Sequence, residues 1–298
     1  MKRYVTGAVL ILLMAALLWD NQVAAQAVRD GLALCARSVI PALFPFFVAV
    51  SWFTALGLAD SCGRVLAPLT GPLLGCSGTG SMAFLLGLLG GYPVGGRTVG
   101  ELYDSGAIDK AEAEHLLTFC NNCGPSFVLG IAGAGCFGSA RAGAWLYLIH
   151  IAAAVIVAQL HRQRAALPAH RPPRLPAPPL TVAFIRSVTA GTQAMLHICG
   201  FVVFFLVSLR LVTTHTGLTH PLLIGAMELT GGILRLSPTR PGFLMAAGLL
   251  GWGGLSVHCQ TAAVLHGTGL SLKPHLMGKF LQAVISVALA AAVSRWVI

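Results

Sequence analysis

Acidic side chains are scarce in this sequence, which has nine Asp and Glu against nineteen Lys and Arg in 298 residues. Charged residues of either sign make up only 9% of the chain and hydrophobic ones 56%, too little ionic surface to coat a soluble domain of this size. A soluble globular fold is therefore excluded, and the lipid bilayer is the solvent and first partner. Eight of the nine acids, Asp20 through Glu114, lie in the first 114 residues, and Glu228 stands alone in the remainder. An intramembrane hydrolase needs a paired acid or base, and Glu228 has no such partner in its half. Gly-x-Ser-x-Gly and His-Glu-x-x-His are missing as well, so no enzyme is expected.

The net charge of +10 would suit nucleic acid. The basic residues, however, fall between apolar runs, where loop cations fix membrane orientation, and no nucleic-acid partner is expected. The eight cysteines sit mostly inside apolar segments as small buried hydrophobes and imply no disulfide framework. Cys120 and Cys123 have the spacing of a ligand pair but no second pair, so no metal site is expected.

Crossing about 30 Å of hydrocarbon takes roughly 20 apolar residues. Such runs occur at Tyr4 to Trp19, Val39 to Ala59, Leu116 to Phe137, Ala142 to Leu160, Gly191 to Leu211, Phe243 to Leu265 and Met277 to Val297. Lys2 and Arg3 before the first run imitate a secretory signal, but the run ends in Asp20-Asn21-Gln22, and a retained first span is expected. Gln26 to Ser38, polar on one side, reads as an interfacial helix. Leu160 to Pro179 is proline-rich, with four arginines and no acid, and reads as a linker between two halves.

Two apolar stretches are too interrupted to cross. Ser81 to Leu89 gives about nine helical residues, which at 1.5 Å each end near mid-membrane. There the chain reads GGYPVGG, which predicts a re-entrant hairpin. Leu222 to Leu236, split by Gly231-Gly232, is its counterpart. With the amino terminus inside, the positive-inside rule puts the linker, Arg64, Arg97, Lys110, Lys273 and Lys279 in the cytoplasm. Three spans then separate the hairpins, and the halves are inverted. The expected fold is an all-α polytopic membrane protein, an inverted repeat with two re-entrant helical hairpins and two broken transmembrane helices. Its parts are the first span and interfacial helix (1–38), a first repeat (39–160), the basic linker (161–180) and a second repeat (181–298).

Helix breaks inside a membrane free backbone groups that cost several kcal/mol each against lipid, so they line protein or a watery cavity. The intramembrane polar residues gather around these breaks: Tyr92, Asn121, Asn122, Ser126, Glu228, Thr230, Ser256, His258 and Gln260. In FCNNCGPSFVLG, Gly124 ends one half-helix and Pro125 suits the start of the next, whose N–H groups attract a carboxylate or phosphate; a simple proline kink is the plainer alternative. In GGLSVHCQ, Ser256 and Gln260 share a helical face, with His258 pointing elsewhere. Glu228 either meets Asn121 or Asn122 in the site or caps a half-helix through the N–H groups at Thr230 to Gly232.

GGYPVGGRTVGELYDSG, FCNNCGPSFVLG, MELTGG and GGLSVHCQ, in this order, resemble the YlbJ-type sporulation integral membrane proteins, of the gate or nucleoside-recognition family related to concentrative nucleoside transporters. The resemblance implies a transport fold with two hairpins and two broken helices around a small-molecule solute. It places the hairpin tips at Gly91 to Gly96 and Glu228 to Gly232, and the broken spans at Asn121 to Ser126 and Gly253 to Gln260, so that Gly91 and Gly124 join the solute-binding set. It further implies a multi-pass protein of the outer forespore membrane that passes dipicolinic acid into the forespore. A nucleoside-type transporter and a non-transporting scaffold of spore maturation are the alternatives. Na+ and H+ are both open as coupling ions, and so is a homo-oligomer.

Overall fold

The computed structural model describes residues 2–162 and 178–298, and most of the expected linker lies outside them. Among the described residues every regular element is helical. The first helix, α1 (Lys2–Trp19), ends at the polar Asp20, and the chain turns by 98° into α2 (Asn21–Leu34). The small side of α2, Ala24, Ala27 and Gly31, packs on Val203, Val207 and Leu211 of the long helix α9 (Leu180–Thr216). Its polar side carries Asp30, which pairs with Arg210 of α9 at 2.9 Å. A π-helical turn, Cys35–Val39, leads into α3 (Ile40–Ala55), which also packs on α9.

Gly57, at φ 69°, stops that run and starts α4 (Leu58–Leu74), and Gly75 ends α4 in the same left-handed conformation. A bend of 81° between Ser61–Leu74 and Gly78–Gly90 then opens α5 (Gly78–Gly90), whose N-terminal N–H of Gly80 is capped by the Ser77 hydroxyl. α5 stops at Gly91, and after Tyr92 and Pro93 the chain returns as α6 (Val94–Asp104). The two pack against each other as a helical hairpin with GGYPVGG at its turn.

The apolar run from Leu116 to Phe137 is not a continuous helix. α7 (Lys110–Leu117) ends at Thr118, residues up to Gly124 have no regular structure, and a π-helical segment, Ser126–Cys136, takes the chain onward. The interruption is longer than the Gly124-Pro125 step alone requires. It persists because neighbouring backbones lie against it: a Cβ on Gly87 or Gly95 of the hairpin would collide with the Cys120 carbonyl oxygen, and one on Gly278 with that of Thr118. Only glycine admits so close an approach.

α8 (Ala140–Leu160) and α9 are single unbroken helices, and α9, at 37 residues, begins eleven residues before its apolar core. A second, shorter hairpin follows, α10 (Pro221–Met227) and α11 (Leu229–Ile233) meeting at Gly225 and Gly232. α12 (Arg240–Trp252) and α13 (Leu255–Val264) are one helical run parted by Gly253 and Gly254, at φ 88° and 87°, values that L side chains rarely adopt. α14 (Lys273–Val297) closes the chain.

Among the described residues four helices are long and apolar enough to cross a membrane: α8, α9, the α12–α13 run and α14. The bent pairs α1–α2 and α4–α5 raise the number to six if each is one span. Large apolar side chains such as Leu12, Leu69, Leu196 and Phe280 are more than half exposed on the outer surface, where lipid would meet them.

Candidate functional site

α14 is an amphipathic helix turned inside out. The residues it buries, His275, Gly278, Lys279, Gln282, Ser286, Ala290 and Ser294, are polar or small, whereas Met277, Phe280, Val284 and Trp296 face outward. Spacings of three and four residues put all the polar ones on one stripe. A stripe of this kind has one use in an apolar solvent, which is to line a polar interior.

Lys279 is the centre of that stripe. Its side chain is completely buried, not a loop cation in the cytoplasm as the charge bias suggested. The ammonium donates to Gln282 Oε1 at 2.7 Å, to the Tyr92 hydroxyl at 2.9 Å and to the Asn121 carbonyl at 3.1 Å, and it lies 4.9 Å from the Tyr92 ring centroid. Three donors meet three acceptors, so the hydrogen bonds are complete. The charge is not matched: none of the described carboxylates forms an ion pair with it. On insertion scales a lysine at the middle of a membrane helix costs roughly 2.5–3.5 kcal/mol.

The network continues outward from Lys279. Gln282 donates through Nε2 to Asn122 Oδ1 at 3.0 Å and to the His150 carbonyl at 3.1 Å. The N–H of Cys123 donates to His150 Nε2 at 3.0 Å, which fixes the neutral ring with its proton on Nδ1, and Nδ1 is buried without a partner. Asn121 donates to the Thr261 hydroxyl of α13 at 2.8 Å and accepts from the Gly96 N–H at 3.3 Å. The interrupted segment is thus held by α6, α8, α13 and α14 together.

Tyr92, followed by a cis peptide bond to Pro93, joins the hairpin tip to the second break. Its hydroxyl donates to the Leu250 carbonyl at 2.8 Å, and a Cβ on Gly253 would sit 3.3 Å from the ring. Gly91 lies against Gly124, so the hairpin tip also touches the first break. The second hairpin tip covers the other side of Gly254 through Gly225, Met227 and Leu229, and Trp252 Nε1 donates to the Ala226 carbonyl at 3.1 Å.

Of the residues singled out in the sequence, Tyr92, Asn121 and Asn122 enter the Lys279 network, with Gly91 and Gly124 behind them. Ser256 and Gln260 share a face as expected, with Gln260 Nε2 3.3 Å from Ser256 Oγ. His258 points elsewhere and meets His275 at 3.1 Å, edge-on to Trp252. Ser126 lies exposed on the first turn of the π-helical segment. Glu228 is buried and caps α11, accepting from Thr230 N at 3.0 Å and Gly231 N at 2.6 Å, and not from Asn121 or Asn122. Two grooves of about 520 and 450 Å3 lie on the apolar side of α9 and take no residue from a tip or a break. The residues that sequence reasoning missed are Lys279, Gln282, His275 and Thr261. The signal that could have found the first three is the polar stripe itself, His275, Lys279 and Gln282 at steps of four and three in an otherwise apolar run.

An all-helical chain with span-length apolar helices, two helix interruptions and a polar interior between them is an integral membrane protein of a transporter-like kind. The comparisons agree with that class. The model of the Gate family, described as nucleoside recognition, matches residues 36–140, from the π-helical turn before α3 to the start of α8. The chain is 27% identical to the sporulation integral membrane protein YlbJ of Bacillus subtilis (strain 168), over 92% of this chain and 78% of that protein. No solved structure matches it.

Proposed function

We propose that this protein carries a small anionic, planar solute across a membrane, binding it where the first hairpin tip meets both helix breaks. The observation that carries the reading is Tyr92: one side chain from the hairpin tip bonds α12 just before its break and the cation beside the other break. The hairpin tip and the α12–α13 break are joined by a side-chain bond, and such parts can separate to open a site to one side. In this reading the α5–α6 and α10–α11 hairpins are re-entrant, and the two halves around the linker are inverted repeats. Similarity to a sporulation membrane protein makes dipicolinic acid the solute to test first, with passage into the forespore as its task and the outer forespore membrane as its place.

A second reading, a nucleoside as solute, is favoured by the description of the matching family. The experiment is uptake of labelled dipicolinate and labelled uridine into vesicles holding the purified chain, with and without Na+ and H+ gradients. Dipicolinate uptake that depends on the protein supports the first reading and uridine uptake the second. Uptake of neither, by protein that is folded and inserted, leaves a non-transporting scaffold and rejects both. The gradient that drives uptake identifies the coupling ion.

A further inference from the structure

We propose that Lys279 is the specificity-determining residue of this site, the cation that a solute carboxylate engages, and that it separates carboxylate solutes from neutral ones. The inference rests on the transport reading above. Its starting point is an imbalance: a fully buried ammonium has three neutral acceptors and no ion pair among the described residues. A cation retained inside an apolar protein ordinarily has a counter-charge, and a solute can supply one. The surroundings suit an anion. The partnerless Nδ1–H of His150, an unspent donor, belongs to the same network, and the π-helical segment that follows the break opens at Ser126, three residues past Cys123.

The acceptors also show how the site would be loaded. Tyr92 belongs to the hairpin tip, and the carbonyl of Asn121 to the interrupted segment. A carboxylate oxygen that replaces the Tyr92 hydroxyl or Gln282 Oε1 accepts the same hydrogen bond from Nζ and adds the missing negative charge. When the Tyr92 hydroxyl is the acceptor replaced, binding the anion frees that hydroxyl from the cation. A neutral solute gains nothing from that exchange, since it replaces one dipole with another. The alternative is that Lys279 is a brace that holds α14 to the hairpin whatever the solute.

The test compares wild type, Lys279→Met and Lys279→Arg as full-length protein in vesicles. Pyridine-2,6-dicarboxylate is the anionic probe, and uridine and pyridine-2,6-dicarboxamide are the neutral ones. The expected result is that Lys279→Met lowers dicarboxylate uptake about tenfold or more, that Lys279→Arg retains part of it, and that uptake of a neutral probe falls much less. Equal loss for anionic and neutral probes, or wild-type dicarboxylate uptake by Lys279→Met, overturns the proposal. Should Lys279→Met fail to fold, thermal unfolding of the wild type decides: the dicarboxylate must raise the midpoint and the isosteric diamide must not. Stabilisation by both, or by the diamide alone, rejects the role of Lys279 while leaving the transport reading standing. If no probe is taken up and none stabilises, both fail.

Discussion

The hydroxyl of Tyr92 and the carbonyl of Leu250, 158 positions apart in the chain, are joined at 2.8 Å inside the protein. The same hydroxyl accepts from Lys279, so a single oxygen from the first half of the chain is donor to α12 and acceptor from α14 of the second half. Tyr92→Phe keeps the ring and removes both bonds. The expected cost is about 1–3 kcal/mol, because a buried carbonyl and a buried ammonium each lose a partner. Unfolding of the purified variant in detergent measures it, and a midpoint equal to wild type would show that the hydroxyl is replaceable.

Asn121 and Thr261 are bonded at 2.8 Å, and both are fully buried. Side-chain hydrogen bonds between membrane helices contribute about 0.6 kcal/mol on average and about 1.7 at most. A double-mutant cycle of Asn121→Ala and Thr261→Val should return a coupling energy in the upper part of that range, because the bond is short and both partners are fully buried. Purely additive effects on stability would mean that the break is held by backbone packing alone.

Glu228 offers a cleaner separation of roles. Its two oxygens receive the N–H groups of Thr230 and Gly231, an N-cap of the α11 turn. Glu228→Gln keeps one acceptor and should insert, fold and transport nearly as wild type, whereas Glu228→Ala should lose about 1 kcal/mol of stability. Folded Glu228→Gln protein whose uptake no longer follows an ion gradient would move Glu228 from cap to coupling residue.

The 37 unbroken residues of α9 extend about 55 Å at 1.5 Å per residue, ample to cross the bilayer. A cysteine introduced at position 170 should therefore react with an impermeant reagent only from the cytoplasmic side, and one at exposed Thr216 only from the other. Reaction of both from one side would refute α9 as a span and the inverted arrangement with it.

Much of the site could be read in the sequence because glycine and proline leave no choice. GGYPVGG, Cys123-Gly124-Pro125 and Gly253-Gly254 stand where the helices stop, and the polar residues beside them, Tyr92, Asn121 and Asn122, meet in space. Lys279 escaped because lysine near an apolar run is ordinarily a loop cation, and the charge rule counts it without asking which face it occupies. Its burial belongs to tertiary packing: the residue before it, Gly278, lies so close to the Thr118 backbone that a Cβ there would collide with the carbonyl. The length of the first interruption was hidden for a similar reason. Thr118 to Cys120 have no breaker among them, and it is the glycines of other helices that hold them out of helical conformation. The bend between α4 and α5 left no long apolar run to mark it.

The contact of Gly87 and Gly95 with Cys120, and of Gly278 with Thr118, has a mechanical consequence. Backbones touching without side chains between them cannot slide apart without opening a void, so the α5–α6 hairpin, the interrupted segment and the start of α14 form one stiff block. The bonds from Asn121 to Thr261 and from Tyr92 to Leu250 are different, because each links side chains or a side chain to a carbonyl, and water can take either place. The seam along which this molecule can part therefore runs between that block and α12–α13, and Lys279, anchored in the block, stays with it as the seam opens.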